Sequence, residues 1–409
     1  MSSSHDPVAV TGLGLVTSAG IGTDASWRGV LAGEGTARTD PALDGVSVNM
    51  SCRVDDFDAD ALLGRKASRR LDRFVQLAVV AAREAVVDAG LDPQNWNGPR
   101  VGVVLGCGMG GAHTWEQQHK RFLSSGADKV SPMLIPMLVP NMAAGQLAME
   151  FGALGPNLVT ATACASGATA IGVARDLLRS GACDVVLAGG TEAGLTPLSI
   201  AGFAQMGALS RRVDDPAVAS RPFDIGRDGF VAGEAAGVLV LERTADAAAR
   251  GQRPRAMLAG YGASADGHHI TAPDPTGQGA ARAMRAALED SGLAPSDITH
   301  VNAHGTSTPL NDVAEARTIQ SVVGEQASVT STKGVTGHSL GAAGAIEAAF
   351  TVLAVQHGLV PPTANLDSQD PEITVDIVAK APREQRIEAA MSDSFGFGGQ
   401  NAVLVVTAA

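Results

Sequence analysis

Short apolar runs alternate with helical periodicity along almost the whole chain. "PVAVTGLG", residues 7–14, reads as a buried strand that runs into a glycine turn. "RRLDRFVQLAVVAAREAVVDAG" has apolar residues at helical spacing and stops at Gly90, which predicts an amphipathic helix. "RVGVVLGCGMGG" predicts a second strand ending in glycines, and "CDVVLAGG" and "AAGVLVLE" repeat the theme. Continuous apolar strands alternating with helices predict an α/β fold whose sheets are covered on both faces.

The pattern also repeats. "REAVVDAGLDP" (83–93) resembles "RAALEDSGLAP" (285–295), and each precedes a strand that ends in glycine. "LVTATACASGATAIGVARDLLRSG" resembles "SVTSTKGVTGHSLGAAGAIEAAFTVLAVQHG", and "VTGLG" near the start echoes "LAGYG" near 260. Three pairs in one order predict a duplication. The offset is 202 between Gly90 and Gly292, and 174 between Gly167 and Gly341. The first half therefore carries about 28 extra residues around "SPMLIPMLVPNMAAG". Two similar halves are expected, 1–253 and 254–409, joined near "ARGQRPRA".

Composition narrows the function classes. Of 409 residues, 45% are hydrophobic and 18% charged, enough apolar material for a core spanning both halves. A net charge of -12 and a single tyrosine, Tyr261, argue against nucleic-acid binding. The four cysteines form no CxxC pair, so neither a zinc site nor a disulfide framework is expected. No apolar run reaches membrane-spanning length, and "MSSSHDPVAV" is not a secretory signal. The expectation is a cytoplasmic protein that does not enter a membrane.

Cys164 follows an apolar strand and opens a helical segment, among alanine, glycine, serine and threonine. A helix N-terminus lowers a thiol's pKa, so the position suits a nucleophile. "HVNAHGTSTPLND" places His304 just after a strand, and "STKGVTGHSLGAAG" places His338 in a turn read as the duplicate of the Cys164 turn. Lys333 and Glu347 flank His338 and predict a partly buried pair that tunes the charge of the site. "SDSFGFGGQNAVLVV" ends in a strand. Its Phe395 and Phe397 predict a mobile gate whose backbone N–H groups serve an oxyanion.

"TACASG", "NAHGTSTPLND", "STKGVTGHSLGAAGAIEA" and "SFGFGGQNA", in this order, resemble the β-ketoacyl-acyl-carrier-protein synthases, closest to synthase II and the ketosynthase subunits of type II polyketide synthases. The resemblance runs from "VAVTGLG" to "GGQNAVLV". It implies the thiolase fold, a five-layered α-β-α-β-α arrangement of two similar halves. It implies a decarboxylative condensation in fatty acid or polyketide elongation. In that reaction Cys164 carries the acyl chain, His304 and His338 hold the malonyl thioester carbonyl, and Lys333 and Glu347 are the supporting pair. The N–H groups of Cys164 and Phe397 form an oxyanion hole. By the same resemblance Thr306 and Thr308 hold the phosphopantetheine arm of the carrier protein, Phe230 lines the malonyl side, Phe397 gates the acyl pocket, and Met109 shapes the acyl tunnel. No permanently bound cofactor and no metal are implied.

The implied partners are acyl carrier protein and a second subunit, either a second copy or a chain-length-factor-like paralogue. Carrier proteins are acidic, so docking calls for a basic patch. "GRKASRRLDR" supplies Arg65, Lys66, Arg69, Arg70 and Arg73, and "LSRRVDD" supplies Arg211 and Arg212. Lys66, Arg69, Arg70 and Arg212 match the family's docking positions most closely. The sequence departs from the family pattern at Gln400, where threonine or histidine is usual, in "GEAAG" for "GEGAG", and in "DSFG" for "NSFG". A thiolase would carry a second cysteine in the turn that here reads "FGFGGQN". Chalcone-synthase relatives use asparagine where His338 stands, and a chain-length factor lacks the reactive cysteine. A cysteine hydrolase would have to admit water past Phe397.

Overall fold

Residues 7–409 are described by the structure, a computed structural model. In the first half, strands β1 (Val8–Thr17), β2 (Val101–Gly106), β3 (Asn157–Thr160), β4 (Val185–Glu192) and β5 (Ala235–Arg243) pair in the order β3-β2-β4-β5-β1. In the second, β6 (Ala256–Ala265), β7 (His300–Asn302), β8 (Ser328–Thr330), β9 (Ala389–Gly396) and β10 (Gln400–Thr407) pair as β8-β7-β9-β10-β6. Order and strand directions repeat between the halves. Three residue pairs, Val8–Val10 against Ala256–Leu258, join the two into one continuous sheet.

Each half supplies three main helices: α1 (Arg73–Asp88), α2 (Met142–Phe151) and α3 (Ser166–Arg179), then α4 (Gln278–Ser291), α5 (Pro309–Val322) and α6 (Ala343–His357). Helices α1 and α2 cover the first sheet through Phe74, Leu77, Leu105 and Leu147. Helices α4 and α5 cover the second through Met284, Ile319 and Val403. Between the sheets lie α3 and α6, sharing one core with Leu13, Leu239, Ala390 and Leu404. The result is the α-β-α-β-α layering of the thiolase fold.

Helix α6 is buried on every side from Ala343 to Val355, which is why its sequence shows apolar residues all round rather than on one face. It corrects one expectation. Leu340–His357 is long and apolar enough to cross a membrane, but 89% of it is buried inside the protein, where it serves as the core helix.

The duplication extends to single atoms. A Cβ on Gly14 would stand 1.8 Å from the Ala81 carbonyl oxygen, and one on Gly262 would stand 2.1 Å from that of Ala283. Both strands therefore need glycine to lie against the covering helix. A Cβ on Gly167 would lie 2.6 Å from the Ala345 nitrogen, and one on Gly344 would lie 2.7 Å from the Ala168 nitrogen. Helices α3 and α6 thus cross at reciprocal glycines.

These contacts correct the sequence register of the second repeat. Ala163 (φ 48°) and Leu340 (φ 50°) both adopt the left-handed conformation and open the short 3-10 turns, Ala163–Ala165 and Leu340–Ala342, that feed α3 and α6. They lie 177 positions apart, not 174, so the first half is longer by 25 residues rather than 28. The counterpart of Cys164 is therefore Gly341, not His338. A slip of three residues is close to one helical turn and leaves the apolar faces of the two helices matched, so the sequence pattern tolerated it.

Candidate functional site

Cys164 sits where β3 hands over to α3. The preceding Ala163 is held in its strained conformation by Ser166, whose Oγ donates to the Ala163 carbonyl (2.6 Å) and accepts from the Thr162 N–H (3.0 Å). The bulk is absent around Cys164 because backbone crowds it. A Cβ on Gly396 would lie 2.6 Å from the Thr162 carbonyl oxygen and 3.2 Å from the Cys164 nitrogen.

His304 follows β7. Its own N–H and that of Gly305 donate to the two oxygens of Glu315, at 2.6 and 2.7 Å. Glu315 lies on α5, whose N-terminus Thr308 caps through the Asn311 N–H. His338 is fixed from the other side, because its N–H donates to the Val231 carbonyl (2.8 Å) and its carbonyl accepts from Gly233 (2.9 Å). The two imidazoles meet edge to face with centroids 5.3 Å apart. Phe230 stands edge-on to His338, and Phe395 to His304. The ligating atoms of Cys164, His304 and His338 all lie within 4.8 Å of one another.

These residues share one cavity of about 750 Å³. It is lined by the buried Cys164, Phe230, His304, His338 and Leu340, by Phe397, Thr306 and Thr308, and at the surface by the exposed Leu310 and Ile270. The Thr306 and Thr308 hydroxyls are 3.0 Å apart. Lys333 and Glu347 do not reach the cavity. They form a fully buried ion pair behind it, more enclosed than the sequence suggested.

Burial governs the electrostatics. It pushes both imidazoles well below their usual pKa, and the Lys333 ammonium pushes them further, so both are neutral at physiological pH. Burial raises the Cys164 thiol to about 11, although the Phe397 N–H and Lys333 pull the other way. The expected lowering at the helix N-terminus is therefore outweighed. Cys164 lies in the 3-10 turn before α3, where desolvation of a thiolate costs more than the helix end returns.

Several buried groups escaped the sequence reading. Glu315, whose pKa burial raises to about 7, was hidden because a glutamate on a helix usually faces solvent. Asp393, at the "DSFG" departure, is fully buried. Burial, then Glu315 and Glu347, push its pKa well up. Its two oxygens, like Asn302 Oδ1, Glu347 Oε2, Ser392 Oγ and Ser394 Oγ, have no hydrogen-bond partner among the described residues. The Cys164, His304 and His338 atoms are donors that a soft ion such as zinc accepts.

Other candidates fall elsewhere. Met109 is half-buried and does not line the cavity. Its sulfur packs near Gly194, beside the Leu340 side chain, which is the one that reaches the cavity. Arg65, Lys66, Arg69 and Arg70 are exposed on the turn before α1 and do not line the cavity. Arg73 leaves the basic patch altogether, because it is bound to the buried carboxylate of Glu234. Arg212 donates to the Gly226 carbonyl (2.6 Å) and lies 3.9 Å from Asp228, a residue that lines the cavity.

Comparison with known proteins adds an independent line. Family models described as "Beta-ketoacyl synthase, N-terminal domain" and "Beta-ketoacyl synthase, C-terminal domain" match residues 5–247 and 255–367. The chain is 46% identical over 404 residues to 3-oxoacyl-acyl-carrier-protein synthase 2 of Synechocystis sp., covering 97% of each chain. Among solved structures it resembles the ishigamide ketosynthase/chain length factor (TM-score 0.92, 34% identity, 99% of this chain and 100% of the other). It also resembles a type II polyketide synthase assembly of acyl-carrier protein with its ketosynthase bound to the hexaketide (TM-score 0.91, 32% identity, 99% of each).

Proposed function

The chain belongs to the β-ketoacyl synthase family, and from that premise we propose how its residues elongate acyl chains on acyl carrier protein. The observation that carries the proposal is the meeting of a buried thiol with two neutral imidazoles in one cavity. Cys164 attacks the acyl thioester. Its proton leaves with the pantetheine thiol, so a thiol of high pKa need not be ionised beforehand. The N–H groups of Cys164 and Phe397 receive the oxyanion.

Malonyl-carrier protein then enters past Thr306 and Thr308. Loss of CO2 leaves the electron pair on the malonyl α-carbon, and neutral His304 and His338 donate N–H groups to the enolate oxygen that forms. The carbanion attacks the acyl-Cys164 carbonyl, the C–S bond breaks, and the sulfur takes up one proton. Phe230 flanks the malonyl side. Phe395 and Phe397 close the acyl side against water. Burial, reinforced by the Lys333 ammonium, keeps both imidazoles neutral, and Glu347 holds Lys333 in place behind the cavity.

The assembly is proposed from the same premise. Lys66, Arg69, Arg70 and Arg212 would receive the acidic carrier protein. Strand β3 is an exposed edge that carries the exposed Leu158, and Met149, Leu154 and, in the apolar insertion, Ile135 are exposed as well. Such an edge suits pairing with a second copy, which would extend the sheet through a dimer. A cytoplasmic enzyme of two halves, 1–253 and 254–409, follows the same reading. A second reading, in which the partner is a chain-length factor, is favoured by the likeness to the ishigamide ketosynthase/chain length factor. Incubation with acyl-carrier proteins, read by intact-protein mass, tests the mechanism. The parent should gain an acyl group and Cys164→Ala should gain none. Acylation of the variant refutes the assignment, and a product formed only with a co-purifying paralogue favours the second reading.

A further inference from the structure

Glu192 ends β4 and is wholly buried. Among the described residues no lysine or arginine forms an ion pair with it. Its carboxylate instead accepts backbone N–H groups from two separate loops, Gly108 at 2.7 Å, Met109 at 3.2 Å and Gly341 at 3.3 Å, with the Cys107 thiol at 3.5 Å. Both loops are shaped to admit it. A Cβ on Gly108 would stand 2.8 Å from Glu192 Oε2, and one on Gly341 would stand 2.7 Å from it.

The duplication says what these two glycines are. Gly341 is the counterpart of Cys164. Gly108 stands two residues beyond Gly106, which pairs with Thr160, and His304 stands two beyond Asn302, which pairs with Thr330. Gly108 is therefore the counterpart of His304. In the first half Glu192 chelates the N–H groups of Gly108 and Met109, as Glu315 chelates those of His304 and Gly305 in the second. The mirror image of the reacting site is thus reduced to glycine and filled by a carboxylate.

What the filled site holds is a wall of the working one. The Gly341 N–H anchors Leu340, which is strained at φ 50° and lines the cavity with Cys164. A Cβ on Gly194 would lie 2.9 Å from the Met109 sulfur and 3.8 Å from Leu340 Cδ1, so the two side chains stand together over that glycine. They belong to one apolar cluster with Leu195, Ile200 and Phe230. On this side of the cavity the lining side chain is Leu340, and Met109 packs behind it.

We propose that Glu192 is a positioning residue for acyl-chain selection, holding the Met109 and Leu340 backbones together so that Met109 backs the Leu340 wall of the acyl chamber. The proposal rests on the reading of Cys164 as the acyl carrier. The test is competition between butyryl- and dodecanoyl-carrier protein for Cys164, read as the ratio of the two acyl-enzyme masses. Glu192→Gln, which sets an NH2 group against the Met109 N–H, should shift that ratio about tenfold, the scale on which an apolar pocket separates substrates of different length. Met109→Ala should shift it in the same direction. A folded Glu192→Gln enzyme with the parent's ratio, or one changed only in thermal stability, overturns the proposal. If that variant does not fold, Glu192→Asp is read by the same two outcomes, and failure of both to fold overturns it as well, leaving Glu192 a structural residue. A parent enzyme that loads neither chain on Cys164 sinks the underlying reading instead.

Discussion

Glu315→Gln separates what this carboxylate does for folding from what it does for chemistry. Burial raises the Glu315 pKa to about 7 from an ordinary 4.5. A group whose folded pKa is raised contributes stability below its unfolded pKa and loses it as pH rises through the folded value. The window here is pH 4.5 to about 7, and the shift corresponds to roughly 3 kcal/mol of folded-state penalty on the ionised form above it. Glutamine carries no such penalty, so the variant should match or exceed the parent's stability above neutral pH. Its NH2 group, however, faces one of the two N–H groups of His304 and Gly305. One charge-assisted bond of about 1.5–3 kcal/mol is lost from the loop that aims His304. Fully transmitted to the transition state, that slows CO2 release from malonyl-carrier protein by roughly ten- to a hundredfold. Denaturation from pH 5 to pH 8 and the two half-reactions, Cys164 acylation and CO2 release, are the measurements. A variant that is less stable above neutral pH, or that loses acylation and decarboxylation in equal measure, refutes the reasoning.

Three further outcomes are expected. Alkylation of Cys164 in the free enzyme by iodoacetamide should climb with pH from neutral to about 10 without levelling, because burial holds the thiol near 11; a plateau near neutrality would show a preformed thiolate. Gly14→Ala and Gly262→Ala should each destabilise by about 3 kcal/mol or more in chemical denaturation, and by similar amounts, because each new Cβ meets the same helix carbonyl in its half; tolerance of either contradicts the repeat geometry. Arg69→Glu with Arg70→Glu should raise the KM for carrier protein several-fold at low salt and leave kcat near the parent's, and an unchanged KM would remove this face from docking.

How much of this was legible in the sequence depended on which physical signal each residue leaves. The strands and α1 announced themselves through apolar runs and a glycine stop, because burial on both faces demands unbroken Val, Leu and Ala. Cys164, His304 and His338 were visible because reactive side chains stood out against small neighbours, and the fold does bring them together. Pairing across the sheet left no such signal. The carboxylates of Glu192 and Glu315 are held by backbone N–H groups, which every residue possesses, so nothing in their neighbours' identities marks them. The thiol pKa was misjudged for a related reason. Local position promised a helix end, while the deciding quantity was desolvation by burial, which the Phe397 N–H and Lys333, each more than a hundred residues away, offset only in part.

The register slip has the most to say about function. Matching glycine to glycine aligned His338 with the Cys164 turn and suggested that the halves offer a thiol and an imidazole at equivalent places. Matching strained residue to strained residue, Ala163 to Leu340, puts glycine opposite Cys164 instead. His338 then belongs to the stretch between β8 and the 3-10 turn, which in the second half also holds Lys333. Two of the groups around the thiol, His338 and Lys333, therefore come from a segment without a counterpart of equal length in the first half. The duplication supplied the frame and the cradle for one nucleophile. Under the proposed mechanism, the asymmetry between the halves supplies the imidazole that serves decarboxylation beside that nucleophile and the cation behind it.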